Sequence, residues 1–326
     1  VQLWEDNIPA TLTDNYTGEI YNDSAFTSSA KFLLVTGHTG AFDITLTCAS
    51  GASWSDNVSV RSNAKKFNNA NGVSFSSSVT YDEIFDIQQN RFKLIGLQIE
   101  GSGSPARCVN GFSAAPTNTL FKNLLMRSAN ASSSAFRMGD STCLSVNCTL
   151  FIDSSGGNGM HVSGGKILAC DVIRASDKTA AGTAYTTEAY TSGSILQSSN
   201  SFGFSTAADA TRWDTTNSKY NATNLASGLP GSTGNQYSVT YSSATPWVTA
   251  TNTGCDLQPI ASTSLINNGF YDATNAPTDC TGTARDATPT IGSWEYGSAP
   301  PAGDDIAAMT MQVSGVMFFG IGRGAH

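Results

Sequence analysis

Four hexapeptides in the middle of the chain line up one above another. They are Leu94-Ile95-Gly96-Leu97-Gln98-Ile99, Phe121-Lys122-Asn123-Leu124-Leu125-Met126, Ser145-Val146-Asn147-Cys148-Thr149-Leu150 and Ile167-Leu168-Ala169-Cys170-Asp171-Val172. Anchored on Gly96, Asn123, Asn147 and Ala169, they recur at spacings of 27, 24 and 22 residues. The alternation within each segment reads as a strand with one face buried. The expected inward columns are Leu97, Leu124, Cys148, Cys170 and Ile99, Met126, Leu150, Val172. Gln98, Leu125, Thr149 and Asp171 are expected to point out, because a slip of one residue would bury the Asp171 carboxylate unpaired. A second strand recurs in the same rhythm: Phe136-Arg137-Met138 and Met160-His161-Val162 lie 24 residues apart. Val109-Asn110-Gly111 holds the equivalent place one turn earlier.

Strands repeating at this interval are too close for βαβ units, and the chain is too poor in helix formers for leucine-rich repeats. Gly, Ser, Asn and Asp runs such as Ser154-Ser155-Gly156-Gly157-Asn158-Gly159 supply tight corners between them. The physical solution is an all-β, right-handed parallel β-helix, whose coils stack at about 4.8 Å. A pair of β-sandwiches is the competing fold, and it does not predict matching side-chain columns. Composition agrees with a solenoid. Charged residues are 13% of the chain, about half the ~25% of an ordinary soluble domain, and mostly Ser, Thr, Asn and Ala replace them. That excludes coiled coils and helical bundles, while 16 Phe, 5 Trp and 10 Tyr argue against disorder.

Three regions follow. Residues 1–50 read as an N-terminal cap and first strands, with Trp4, Ile8 and Leu12 at a spacing of four that suggests a short helix, and Phe32-Leu33-Leu34-Val35 starting a strand. Residues 51–297 read as the β-helix, with loop-rich C-terminal coils packed by Trp213, Tyr220, Tyr237, Tyr241 and Trp247. Residues 298–326 read as a linker, Pro300-Pro301-Ala302-Gly303, and an apolar tail. Met309, Met311, Val313, Val316, Phe318, Phe319 and Ile321 are the tail residues expected to dock a partner; the alternative is that the tail folds back to cap the solenoid.

Several stretches resemble right-handed β-helix proteins of phage and environmental genomes. These are Trp4…Ile8-Pro9…Leu12, Glu19-Ile20-Tyr21-Asn22-Asp23…Phe26, Phe85-Asp86-Ile87-Gln88, and a closing set of Ser264 to Gly269, Gly282 to Arg285 and Ile291 to Tyr296. The resemblance covers about residues 1–297 and is specific for the fold. It implies a virion surface protein, often a homotrimer. The same scaffold also serves lyases, adhesins, tailspikes and capsid decorations.

The remaining chemistry narrows the choice. A net charge of −8 and only 17 Lys and Arg make nucleic acid an unsuitable partner. No apolar run is long enough to span a bilayer as a helix. The N-terminal residues carry no signal-peptide pattern. The outward carboxylates Asp140, Asp153, Asp171 and Asp177, with Arg107, Arg137 and Arg174, are candidates for polysaccharide cleavage, though solvated corner residues explain them equally well. His161 reads as a solvent-facing strand residue, His38 as a turn residue and His326 as terminal, none at metal-ligand spacing. Seven cysteines read as buried thiols, with Cys148 and Cys170 stacked and reduced; Cys255 and Cys280 are an alternative pair. Asn123 and Asn147 read as a corner ladder, and Asn-x-Ser/Thr sequons follow from composition. No cofactor, metal or catalytic residue is expected. The expected function is a non-enzymatic structural protein on a phage virion, a capsid decoration or tail-associated spike. It would be assembled in the host cytoplasm and docked to a major capsid or tail protein. The alternatives are a polysaccharide lyase or hydrolase acting on a host glycan, and an extracellular bacterial adhesin.

Overall fold

The computed structural model describes residues 1–56, 67–78, 82–103, 106–111, 115–129, 134–187, 193–209, 213–251, 254–261 and 263–296. Its coils each give one short strand to three parallel sheets of seven, eight and seven strands. The first sheet runs from Tyr16–Ile20 through Ile44–Cys48, Phe92–Ile95, Leu120–Lys122, Leu144–Val146 and Lys166–Leu168 to Ile195–Gln197. The second runs from Phe26–Ser28 through Ser74–Ser77, Gln98–Gly101, Leu125–Ser128, Thr149–Ile152, Asp171–Arg174 and Asn200–Phe202 to Ala222–Thr223. The third runs from Leu33–Val35 through Asp82–Ile87, Ala106–Gly111, Phe136–Met138, Met160–Val162 and Thr183–Thr187 to Thr206–Ala208. The architecture is a parallel β-helix of seven coils and the start of an eighth.

The registers are those of the repeat. Gln98 pairs with Leu125, Leu125 with Thr149 and Thr149 with Asp171. Phe136 sits between Val109 and Met160. The hexapeptides themselves differ from expectation, because each is two strands and a corner. Gly96, Asn123, Asn147, Ala169, Ser198 and Tyr220 stack with φ of 78°, 52°, 53°, 52°, 50° and 57°. This left-handed backbone favours Gly and Asn and turns the chain from the first sheet into the second. The hydrogen-bond ladder survives the turn: the corner amides of Gly96, Asn123, Asn147 and Ala169 each donate to the next coil, to Lys122 O, Val146 O, Leu168 O and Gln197 O.

The lumen is filled by the predicted columns, with Leu97, Leu124, Cys148, Cys170, Ile99, Met126, Leu150 and Val172 all fully buried. Aromatic side chains fill the N-terminal coils. Phe26 stacks on Phe75 at 4.7 Å, and Phe85 meets Phe75 edge-on at 5.1 Å.

The cap corrects the helical reading of residues 4–12. The helix is a single turn, Gln2–Glu5. Ile8 and Leu12 are buried, but in extended chain, where Leu12 N–H donates to Thr39 O at 2.7 Å. Strands also begin earlier than Phe32, with Tyr16–Ile20 and Phe26–Ser28. Beyond the coils a second layer covers the outer face of the second sheet. There Phe151, Ile173 and Phe202 point away from the lumen and pack against Trp247, Leu257, Leu265 and Ile291. Trp247 belongs to an antiparallel hairpin, Trp247–Thr251 with Gly254–Pro259. Trp213 and Trp247 are buried as expected, Tyr241 packs partly and Tyr220 stacks with Phe270, but Tyr237 is exposed.

Candidate functional site

Among the described residues, two of the polar constellations outside the lumen hold sequence-predicted candidates. One is a ladder on the outer face of the third sheet, where alternation puts Asp86, Asn110, Arg137, His161 and Thr186 in one column, one coil apart. Their neighbours Phe85, Val109, Phe136 and Met160 fill the lumen. At the N-terminal end of the column, Lys31 Nζ lies 3.0 Å from Asp86 Oδ2 and 3.7 Å from Glu83 Oε2. Arg107 Nη1 donates to Glu83 Oε1 at 2.6 Å. Asn110 Nδ2 donates to both acids, at 3.3 Å to Glu83 and 3.4 Å to Asp86. His161 Nδ1 is 3.0 Å from Thr186 Oγ1. Hydrolysis by a carboxyl pair needs a proton donor and an acceptor facing one substrate. Here both carboxylates converge on shared protein donors, which suits a rigid, charge-balanced surface. Sequence reasoning missed Lys31, Glu83 and Asp86. Extending the second-strand register back by one coil, from Val109-Asn110-Gly111 to Phe85-Asp86-Ile87, would have found Asp86.

The other constellation lies under the closing segment. Residues 291–294 cross the coils along the solenoid axis. Asn200 Nδ2 donates to Ile291 O at 3.0 Å and to Asp171 Oδ1 at 2.6 Å. Ser293 donates to Asp171 Oδ2 from its amide at 3.2 Å and its hydroxyl at 2.5 Å, and its hydroxyl also meets Thr149 Oγ1 at 3.1 Å. Trp294 then packs on Leu125, Trp54 and Cys280. Gln98, the first member of the same column, is clamped by the backbone of Asn68 and Gly72. The column expected to face solvent therefore faces away from the lumen and is still buried, since two segments lie over it. Asp171 is not an orphan there, because Asn200 and Ser293 satisfy its carboxylate.

Arg285 locks the strap. Its guanidinium donates to Gly292 O at 2.8 Å, to Thr290 O and Asn147 Oδ1 at 3.2 Å each, and to Glu295 Oε2 at 3.3 Å. Burial pushes the Glu295 carboxyl up to about 7, against the opposing pull of Arg285 and the Thr290 amide. The corner Asn147 uses its side chain on the C-terminal closing segments, donating to Thr278 O at 3.0 Å and accepting from Arg285, rather than on Asn123 of the preceding coil.

The other candidates separate. Arg174 is fully buried and donates to the carbonyls of Ser154, Gly156, Gly157 and Ala181, with Phe204 beneath it at 4.7 Å. Asp171 and Arg174 are thus covered and form no open groove, which corrects the expectation that they stand open to a substrate. Asp153 pairs with Arg127 at 2.5 Å, and Arg127 reaches back to Glu100 at 2.9 Å. Asp140 organises its own turn through Thr142, and Asp177 is exposed. Arg107 and Arg137 do share a face, that of the third sheet. His161 faces outward between buried Met160 and Val162, as expected. His38 is not a free turn residue: it contacts Glu5 and Pro9. Cys148 and Cys170 stack as free thiols, with Cys148 N–H 3.4 Å from Cys170 Sγ. Burial pushes the Cys48 and Cys108 thiols up to about 12. No His, Cys, Asp and Glu cluster among the described residues could hold a metal ion. The side chain of Cys255, the linker from Pro300, His326, and the docking candidates Met309, Met311, Val313, Val316, Phe318, Phe319 and Ile321 lie outside the described residues.

Fold and surface together define a parallel β-solenoid protein with a latched outer layer. No family model, curated protein or solved structure matches the chain.

Proposed function

We propose that this chain is a non-enzymatic structural protein of a phage particle, a capsid decoration or tail-associated spike, with residues 303–326 as its attachment segment. The observation that carries the reading is the use of outer polar side chains to tie coils together. Arg127 bridges Glu100 and Asp153 across three consecutive coils, and Lys31, Arg107 and Asn110 do the same for Glu83 and Asp86. The strap adds a lengthwise lock from Asn200 to Leu125. Such a body is a rod whose coils are cross-tied on the outside, suited to holding position on a particle. In this reading the rod assembles as a homotrimer, and its apolar tail binds a major capsid or tail protein. Among the described residues no helix is long and apolar enough to cross a membrane. The test is incorporation of a chain ending at residue 302 into particles. The truncated chain is expected to fold and stay out of particles; full incorporation sinks the proposal.

A second reading, polysaccharide cleavage, is favoured by one observation: Glu83, Asp86, Arg107, Arg137 and His161 share one outer face. It predicts release of reducing ends or unsaturated uronates from a host glycan, lost in Glu83→Gln and Asp86→Asn. A chain inert on a broad glycan panel leaves the structural reading in place.

A further inference from the structure

We infer that the peptide bond between Gly292 and Ser293 is a self-processing junction, cut by the Ser293 hydroxyl with Asp171 as its base. The inference stands apart from the proposed function, because it uses only the strap and the coils beneath it. Ser293 Oγ donates to Asp171 Oδ2 at 2.5 Å, and the Ser293 amide donates to the same oxygen at 3.2 Å. Asn200 Nδ2 holds the other oxygen at 2.6 Å. Three protein donors on one carboxyl group suit its ionised, acceptor-only form.

The target of that hydroxyl is built into its own residue. Ser293 Oγ closes a five-membered ring on the Gly292 carbonyl carbon, so nucleophile and target are held together covalently. The Gly292 carbonyl oxygen, where negative charge gathers during attack, accepts from Arg285 Nη2 at 2.8 Å. The rest of the dipeptide is pinned. Gly292 N–H donates to Ser198 O at 2.8 Å, and Ser293 O accepts from the Cys280 amide at 2.9 Å. Gly292 has a φ of 107°, and a Cβ there would stand 2.4 Å from Asp171 Oδ1, so only glycine lets the carboxylate come this close to the backbone. Ser293, Asp171 and Arg285 are all buried, which strengthens each of these polar contacts. Gly193-Ser194 is the same dipeptide in a different setting. Its hydroxyl oxygen accepts from the Gly164 amide at 2.8 Å, and no carboxylate among the described residues takes its proton.

In the first step Ser293 Oγ attacks the Gly292 carbonyl carbon while Asp171 Oδ2 takes the hydroxyl proton. The C–N bond then breaks, and Oδ2, already in contact with the nitrogen, returns the proton to it. The products are an ester joining Gly292 to Ser293 Oγ and a free amine. That amine takes a proton from solvent and faces the Asp171 carboxylate as an ammonium. Water then hydrolyses the ester, leaving a Gly292 carboxylate and restoring the Ser293 hydroxyl. Trp294, seated among Trp54, Leu125 and Cys280, holds the new N-terminus. The cut therefore turns the covalent link to residues 293–326 into a packing contact.

The test holds the purified full chain in neutral buffer for days and then unfolds it in urea containing hydroxylamine. Hydroxylamine cleaves esters, and unfolding gives it access. Mass spectrometry is expected to find pieces ending at Gly292 and beginning at Ser293 that grow with time, with the Gly193-Ser194 bond whole. Ser293→Ala is expected to give none, Ser293→Cys to keep the cut, and Asp171→Asn to slow it about a hundredfold. A chain that stays whole overturns the inference, as does the same cut in Ser293→Ala. Should a variant fail to fold, the unaltered chain decides by its new end. A hydroxamate on Gly292 marks the ester and supports the inference; a carboxylate at every time point, with no hydroxamate, overturns it.

Discussion

Replacing Glu295 by Gln should remove a component of the pH dependence of stability that points opposite to ordinary acid denaturation. The Glu295 side chain is 5% exposed and meets Arg285 Nη1 at 3.3 Å and the Thr290 amide at 3.2 Å. Burial outweighs these contacts and raises the carboxyl from the usual 4.5 to about 7. The folded chain therefore binds more protons than the unfolded chain between those two values, so stability falls as pH rises through the window. At about 1.4 kcal/mol per pH unit, an upper value is about 3.5 kcal/mol. Solvent at the rim of the strap brings the expectation to about 2 kcal/mol. Urea unfolding of both chains at half-unit steps from pH 5 to 8 measures it. The difference between unaltered chain and Glu295→Gln should change by about 2 kcal/mol across that range, in favour of the variant at pH 8. Parallel curves, within about 0.5 kcal/mol, would refute the burial argument.

Three further outcomes follow from the same contacts. Trp294→Ala should lower unfolding stability by about 3–5 kcal/mol, because it empties the junction with Trp54, Leu125 and Cys280; a loss under about 1 kcal/mol would mean the strap is not seated there. Gly292→Ala should cost about 2–3 kcal/mol, since a Cβ would stand 2.3 Å from Asn200 Nδ2 and 2.4 Å from Asp171 Oδ1 at a φ of 107°; an unchanged urea midpoint contradicts this. Maleimide at pH 8 should leave Cys108 and Cys148 unlabelled until denaturant is added, given their burial. Peptide mapping that finds either labelled in the native chain argues against the packing of the lumen.

What was legible in the sequence is whatever repeats. Leu97, Leu124, Cys148 and Cys170 occupy one column because stacking puts like on like, and the anchors Gly96, Asn123, Asn147 and Ala169 share one backbone conformation. The corner inside each hexapeptide was hidden because inward residues on both sides of the turn still look like alternation. The outer layer left no periodic trace. Asp171 and Ser293 are 122 residues apart, and their contact depends on where an irregular segment happens to cross the coils. For that reason the sequence pattern alone makes Thr149 and Asp171 look solvent-facing, although it gives their direction away from the lumen correctly. In the cap, the spacing of Trp4, Ile8 and Leu12 imitates a helix, yet Ile8 and Leu12 are buried by an extended segment paired with Thr39. On the third sheet, the sequence marks Arg107, Arg137 and His161 only one by one, while Lys31 comes from the first coil and its partnership with Asp86 spans 55 residues.

The solenoid requires its coils to stack in register. Spin labels at Thr45 and Lys166, and at Thr45 and Ile195, read that register directly, in a background of Cys48→Ser and Cys255→Ser. The first-sheet pairing runs from Thr45 through Lys93, Leu120 and Leu144 to Lys166 and then Ile195. At about 4.8 Å per coil, the pairs should lie about 19 Å and about 24 Å apart. Pulsed-dipolar distances centred near those values, one coil spacing apart, are the predicted result. Distances that differ by several coil spacings, or that fall in the reverse order, would contradict the stacked β-helix.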